Sequence, residues 1–307
     1  MDRFAGRRTG EEEDTMHVIL GATGKIGRTT IATLRKAGAP VRAVLRDPSQ
    51  AREFSDLGCE IAIADLHDRQ ALAAAMNGAR AVQVICPVDI RAEHAHSRML
   101  QLIDSLGEAL AAANPQLVLA ISDYGAEQSS GTGVTLIFHA LEARLRKLPS
   151  RLILLRSAEH MENWSRLAKA AAESGRLPSF YHPLTKLLPT VSAFDVGAIS
   201  AELLLDNSNA KLRIVHAEGP RRYTPNDVAA AIGLLAGRSV VAQPLPETEW
   251  RTVLIRAGLS EDYARLLIEL YVAHNAGRID AESDVGEIRR GKIELVDALR
   301  PLLGAQR

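Results

Sequence analysis

The chain lacks most of what would mark it for a membrane, a metal ion or a nucleic acid. No apolar run reaches the length needed to cross a bilayer. Basic and acidic residues balance at 37 each, so no positive excess favours nucleic acid as the main partner. Only two cysteines stand among 307 residues, Cys59 and Cys86, both in strand-like runs. They read as small buried apolar side chains of a reducing compartment, which excludes a disulfide framework. The nine histidines show neither an H-E-x-x-H pattern nor a paired-cysteine neighbour, so no metal is expected. The absence of G-x-S-x-G removes the nucleophile elbow of the α/β-hydrolases. Internal repeats and low-complexity tracts are also missing. Residues 1–15 are polar, carry Glu11-Glu12-Glu13-Asp14 and read as a disordered tail. Arg7-Arg8 is not followed by an apolar segment, so a cytoplasmic location is expected rather than export.

What is present begins at Met16. The run Val18-Ile19-Leu20-Gly21-Ala22-Thr23-Gly24-Lys25-Ile26-Gly27-Arg28 joins an apolar strand to a helix through glycines spaced every third residue. A helix start offers free N–H groups and the positive end of a dipole, which suits a pyrophosphate. Gly21 permits a sharp turn, Gly24 lets the ligand approach the backbone, and Gly27 lets helix and strand pack closely. Gly21, Thr23, Gly24, Lys25, Ile26 and Gly27 are therefore the expected phosphate-binding residues.

Apolar runs at 16–20, 40–46, 59–64, 80–86, 116–122 and 151–156 read as strands buried on both faces. Helical patterns fit between them at 25–38, 49–57, 68–77, 91–113 and 134–148. This alternation predicts an α/β fold, a Rossmann-like doubly wound parallel sheet. Residues 16–157 form the expected dinucleotide-binding domain, with returning segments near 187–218. Residues 158–307 are mainly a smaller, mostly helical substrate domain, partly interleaved. Within it, Asp195 reads as the N-cap of a helix over 196–205, Leu212 to His216 as a returning strand, and 239–243 as one further strand.

Ligands of such sheets bind beyond the carboxyl ends of the strands. Strand 2 ends at Leu45-Arg46-Asp47, where Arg46 favours the 2′-phosphate of NADP over the ribose diol of NAD, with Arg28 and Lys25 as helpers. Strand 3 ends at Asp65-Leu66, suited to an adenine ring or, equally, to capping the next helix. Pro87 stiffens the loop after strand 4. Strand 5 ends in Ser122-Asp123-Tyr124-Gly125, where Ser122 and Tyr124 are candidate donors to cofactor and substrate. On the next helix Leu141, Leu145 and Leu148 are core, and His139, Glu142 and Arg146 project oppositely; His139 is a candidate proton donor. After strand 6, His160 and Trp164 are candidate substrate contacts. Trp250, Tyr263 and Tyr271 read as core packing.

These segments resemble the NmrA-like family of the atypical short-chain dehydrogenase/reductase superfamily. The likeness rests on Gly21-Ala22-Thr23-Gly24-Lys25-Ile26-Gly27 and Val44-Leu45-Arg46-Asp47-Pro48. It continues in Leu155-Arg156, Met161-Glu162-Asn163-Trp164, Val191-Ser192-Ala193-Phe194-Asp195-Val196-Gly197, Glu218-Gly219-Pro220 and Asn275-Ala276-Gly277-Arg278-Ile279-Asp280. It implies an NAD(P)-binding fold with a small C-terminal substrate domain. Some relatives reduce quinones or azo compounds, and others bind the dinucleotide without turnover and report redox state to a protein. The wider superfamily carries Tyr-x-x-x-Lys. Here Tyr124, Tyr181, Tyr223, Tyr263 and Tyr271 are followed four residues later by Gln128, Thr185, Asp227, Leu267 and Asn275. His139 lies near the lysine's place.

The leading expectation is an NAD(P)H-dependent oxidoreductase that reduces a quinone-like or other electrophilic small molecule by hydride transfer, with NADP(H) ahead of NAD(H). The alternative is a non-catalytic NAD(P)-binding redox sensor acting through a protein partner. An isomerase or epimerase with a retained nucleotide ranks third. A homodimer is compatible with the long helix at 91–113, which serves equally well as a cover for the sheet.

Overall fold

The computed structural model describes residues 16–303, so the expected disordered tail at 1–15 lies outside the described residues. The first half alternates strand and helix. It runs β1 (His17–Ile19), α1 (Lys25–Lys36), β2 (Val41–Leu45), α2 (Ala51–Asp56), β3 (Glu60–Ile63), α3 (Arg69–Ala75), β4 (Ala81–Val84), α4 (Ala95–Ala113), β5 (Leu117–Asp123), α5 (Thr135–Leu145) and β6 (Arg151–Ser157). The second half is more irregular. It contains β7 (Glu159–His160), α6 (Ser165–Ser174), β8 (Arg176–Ser179), β9 (Thr190–Val191), α7 (Ala193–Leu205), β10 (Leu212–Glu218), α8 (Pro225–Ala236), β11 (Val241–Pro244), α9 (Glu247–Arg256), α10 (Glu261–Asn275), β12 (Glu287–Arg290) and α11 (Leu295–Leu303).

Eight strands form one sheet in the order β3-β2-β1-β4-β5-β6-β10-β12. Every neighbouring pair is parallel. The order reverses direction beside β1, between β1 and β4, which opens a crevice above the carboxyl ends there. Strands β4 and β5 carry almost uninterrupted buried residues because helices cover both faces. On one face α3, α4 and α5 press Leu72, Met99, Leu102, Ile103, Leu106 and Leu141 against Val82, Val118 and Ala120. On the other, α1, α2 and α7 contribute Ile26, Ile31, Leu34, Phe54, Val196 and Leu203. The apolar residues of α4 recur at three- and four-residue spacing, so this helix covers the sheet with one stripe.

A third cluster joins α6, α8 and α11 through Ala168, Val228, Ile232, Leu295 and Leu299. Trp164, Tyr181 and Tyr223 pack into it, so this cap shares aromatic residues with the crevice below. Parallel pairing of β8 with β11 ties the cap together.

Two local expectations are corrected. The cap of α7 is Ser192, whose hydroxyl accepts the Phe194 N–H, and the helix begins at Ala193. Asp195 sits buried inside its first turn and accepts the N–H of Ile293 at 2.9 Å instead. A carboxylate there can serve a distant backbone group because Ser192 already satisfies the helix start. The strand β12, unmarked in the sequence, extends the sheet beside β10; its residues are mostly charged and sit on an edge.

Candidate active site

Gly21 lies at φ +69°, and a Cβ on it would run into Ile85. A Cβ on Gly27 would run into the carbonyl of Gly21 and the Cα of Ala22. The turn and its close approach to α1 therefore both require glycine. Gly24 differs: a Cβ there would meet only the Gly21 oxygen, at 3.5 Å, so the space before it is open. Helix α1 starts without a side-chain cap and without an acidic residue in its first turn. An open cradle of uncapped N–H groups fits an anionic pyrophosphate. Thr23, Gly24 and Lys25 are exposed at its rim, and Ile26 is buried beneath it.

The neighbouring strand ends are arranged as follows. Arg46 is exposed at the end of β2 and makes no hydrogen bond or ion pair among the described residues. Arg28, expected as its helper, is engaged: it pairs with Glu53, donates to the Thr23 carbonyl at 2.8 Å and lies over the Phe54 ring. Asp65 does not cap α3. Its carboxylate accepts the His67 N–H, while Asp68 caps the helix by accepting from Gln70 and Ala71. Asp65 thus remains exposed and Leu66 half-buried beyond the end of β3. Pro87 is exposed beside the crevice, whose wall is formed by its neighbours Ile85, Cys86 and Val88.

Above the ends of β4, β5 and β6 lies a cavity of about 320 Å³. It runs from Ile26 at the glycine turn to Trp164 and Tyr181 beneath the cap. Phe138, Phe180, Tyr263 and Tyr271 also line it. The core readings of Tyr263 and Tyr271 are therefore incomplete, since both rings also face the crevice. Trp250 is fully buried behind them, with its indole N–H donated to the Leu245 carbonyl. A mainly apolar, aromatic-walled cleft with polar groups at the strand ends suits a planar organic ligand.

Of the sequence candidates, Ser122, Tyr124, His160 and Trp164 line this cavity. Their polar atoms are unequally available. The Ser122 hydroxyl donates to Glu142 at 2.7 Å, and the Tyr124 hydroxyl donates to Glu218 at 3.2 Å. Burial and the adjacent Glu218 push the Tyr124 phenol well above its ordinary range, so it is a poor acid. His139 is not among the lining residues. Its Nδ1 lies 2.8 Å from the Ala126 carbonyl, which it holds from the helix side. Thus the two side chains expected to move a proton are both turned to structural partners.

His160 stays in the wall, with Nε2 3.0 Å from the Ser157 hydroxyl. Burial pulls its pKa down, with Glu162 opposing the effect and Lys25 adding to it, so the net direction favours neutral imidazole. Burial, reinforced by Lys186, lowers His274 to about 4. Burial pushes the Cys86 thiol up to about 12, so it is an inert apolar neighbour.

Three lining residues escape a reading based on motifs: Asp123, Glu159 and Tyr181. Asp123 ends β5 and accepts the Thr135 hydroxyl at 2.9 Å. Burial pushes its carboxyl up to about 7, and the nearby Glu159 and Glu127 act in the same direction. Tyr181 donates its hydroxyl to Glu159. The available signal was a carboxylate at the last position of an apolar strand, between the two hydroxyl residues that drew attention.

Behind this wall stands a buried ion cluster. Arg156 of β6, 1% exposed, forms paired contacts with Glu142 of α5, both at 2.9 Å. It also reaches Glu127 at 3.3 Å and Glu282 at 2.5 Å. Glu142 is therefore no solvated helix residue. Arg156 and Ser122 are register partners on adjacent strands, which delivers both to the same carboxylate.

Residues 21–152 match a family model described as NAD(P)H-binding. The chain is similar to the NAD(P)H azoreductase of Xenophilus azovorans, 24% identical over 257 residues that cover 83% of this chain and 86% of the relative. It is also similar to quinone oxidoreductase 2 of Escherichia coli strain K12, 24% identical over 305 residues, 94% of each chain. Among solved structures, the triphenylmethane reductase of Citrobacter sp. complexed with NADP(H) has the same fold. Its TM-score is 0.78 at 20% identity, covering 94% of this chain and 100% of that one.

Proposed function

We propose that this protein is an NADPH-dependent reductase of an electrophilic, aromatic small molecule of the quinone type. One observation carries the reading: a single cavity connects the glycine turn to an aromatic cap at the point where the strand order reverses. The reduced nicotinamide, when bound, supplies the hydride. The chain's own work is to bind and orient the two partners and to keep water out. The uncapped start of α1 takes the pyrophosphate, and the uncommitted Arg46 takes the 2′-phosphate. Trp164, Tyr181 and Phe180 enclose the acceptor against the ends of β4 to β6. The azo, quinone and triphenylmethane reductases resembled by the chain support the same class of acceptor.

The test is stopped-flow oxidation of NADPH with a panel of quinones. Turnover well above the uncatalysed rate with at least one acceptor is expected. NADPH binding without turnover of any acceptor would overturn the reductase reading and favour a dinucleotide sensor acting through a protein partner.

A further inference from the structure

Reduction of a quinone-type acceptor adds a hydride and leaves an oxyanion. That oxyanion takes up a proton, and a wall group beside it can supply one. The wall groups divide into those that cannot give one and those that can. Tyr124 and Ser122 spend their hydroxyls on Glu218 and Glu142. His160 and His274 are held neutral. Tyr263 and Tyr271 stand on the α10 side of the wall, and opposite them three separate elements bring a cluster together: Asp123 at the end of β5, Glu159 on β7, and Tyr181 after β8.

We propose that Asp123 is the proton donor of the cavity, positioned by Thr135, with the Glu159 carboxylate that Tyr181 holds standing in the same wall. The inference rests on the reductase reading. The geometry behind it is a shared enclosure. Thr135 of α5 holds one Asp123 oxygen at 2.9 Å, and Tyr181 donates to Glu159 in the same wall. The charged and titratable groups acting on Asp123 are Glu127 from the loop after β5 and Glu159 from β7, and Asp123 in turn acts on Tyr181. No cation of the cavity wall pairs with Asp123 among the described residues. Two carboxylates in the wall of one cavity do not both ionise readily, so one retains its proton near neutral pH. An acid that titrates near the working pH combines adequate protonation with adequate acidity.

The step balances. The acceptor gains a hydride, and with it two electrons, from the reduced dinucleotide, which is oxidised. The O–H bond of the Asp123 carboxyl breaks and a new O–H forms on the acceptor oxyanion. The Asp123 carboxylate is then reprotonated from bulk water when product leaves.

The experiment uses the full chain, NADPH and a water-soluble benzoquinone, with Asp123→Asn, Glu159→Gln and Thr135→Val. Asp123→Asn is expected to lower kcat roughly 100-fold and to remove the alkaline fall of the wild-type pH profile. The wild-type midpoint is expected near the value of about 7 to which Asp123 is pushed. Glu159→Gln removes a like charge and moves that midpoint to lower pH. Thr135→Val removes a donor to the carboxylate and moves it to higher pH. Infrared difference spectra of the protein without nucleotide, wild type against Asp123→Asn, supply a readout independent of turnover. They should show a protonated carboxyl band that disappears through the same midpoint.

A wild type that turns over, beside an Asp123→Asn variant of unchanged rate and pH profile, overturns the donor and leaves the reductase standing. A missing infrared band in an active wild type does the same. No wild-type turnover overturns the reductase reading and the donor with it. If Asp123→Asn fails to fold, the opposite shifts of the other two variants decide, and midpoints that do not move refute the proposal.

Discussion

Arg46 leaves β2 with its guanidinium exposed and uncommitted, whereas Arg28 nearby is bound to Glu53 and the Thr23 carbonyl. An exposed arginine without a hydrogen-bond partner at a strand end is a selective grip for a phosphate. Arg46→Ala should weaken NADPH binding roughly 10- to 100-fold, the equivalent of about 1.5–3 kcal/mol, and leave NADH binding nearly unchanged. Fluorescence titration with both nucleotides measures this, and equal losses would remove Arg46 from the 2′-phosphate. The residue scale also shows where sequence reading stops. Arg46 was legible because a strand end announces its location. Asp123 was not, because its meaning comes from Glu159, 36 positions on by sequence number, and from the enclosure around both.

Helix α1 shows the same logic at the scale of an element. Its amphipathic pattern, its glycine-rich start and its packing on β1 all follow from local sequence. The contact at Gly27 is tighter than any propensity would suggest, because the carbonyl of Gly21 occupies the place of a Cβ. In a helix interior, Gly→Ala ordinarily gains up to about 1 kcal/mol from propensity. Gly27→Ala should instead destabilise the protein and weaken nucleotide binding, since the turn must shift to admit the methyl group. Urea denaturation and NADPH titration of the variant check both effects, and a stabilised variant with normal binding would refute the argument. Helix α7 illustrates the limit. Asp195 looks like a cap in sequence, but Ser192 precedes it and does that job, so the carboxylate is released to bind Ile293.

Across the whole molecule, distant segments converge on a few buried charges. Arg156 links β6 to α5 through Glu142, to the loop after β5 through Glu127, and to the C-terminal segment through Glu282. Removing Glu142 takes away the buried, doubly bonded partner of Arg156 and leaves only the partly exposed Glu127 and Glu282 to offset a buried charge, which costs more than the pair itself contributes. Glu142→Ala should therefore destabilise the protein by about 3–5 kcal/mol. The double variant Glu142→Leu with Arg156→Met should lose less, because the two buried charges leave together and the carboxylates left behind, Glu127 and Glu282, are partly exposed. Chemical denaturation of both variants tests this, and equal losses would mean that packing rather than charge dominates the site. Glu218 is a second such hub, accepting from Tyr124, Arg222 and Arg290. It explains why the tyrosine at the end of β5 faces inward to a carboxylate.

The sequence by itself determined the parallel sheet, the glycine turn and the basic strand end, because each is written in contiguous residues whose periodicity and spacing report local geometry. It also marked the absence of a tyrosine–lysine pair, since that pair has a fixed spacing. Only the tertiary structure decided which polar side chains face the cavity and which are bound elsewhere. Ser122, Tyr124 and His139 have the right chemistry in sequence, yet Glu142, Glu218 and Ala126 hold their polar atoms. Asp123, Glu159 and Tyr181 become a group only when β5, β7 and the chain after β8 close around one space. The physical reason is that hydrogen bonding and burial are pairwise properties of residues far apart in the chain. A side chain's identity sets what it is able to do, and its neighbours in space decide whether it is available to do it.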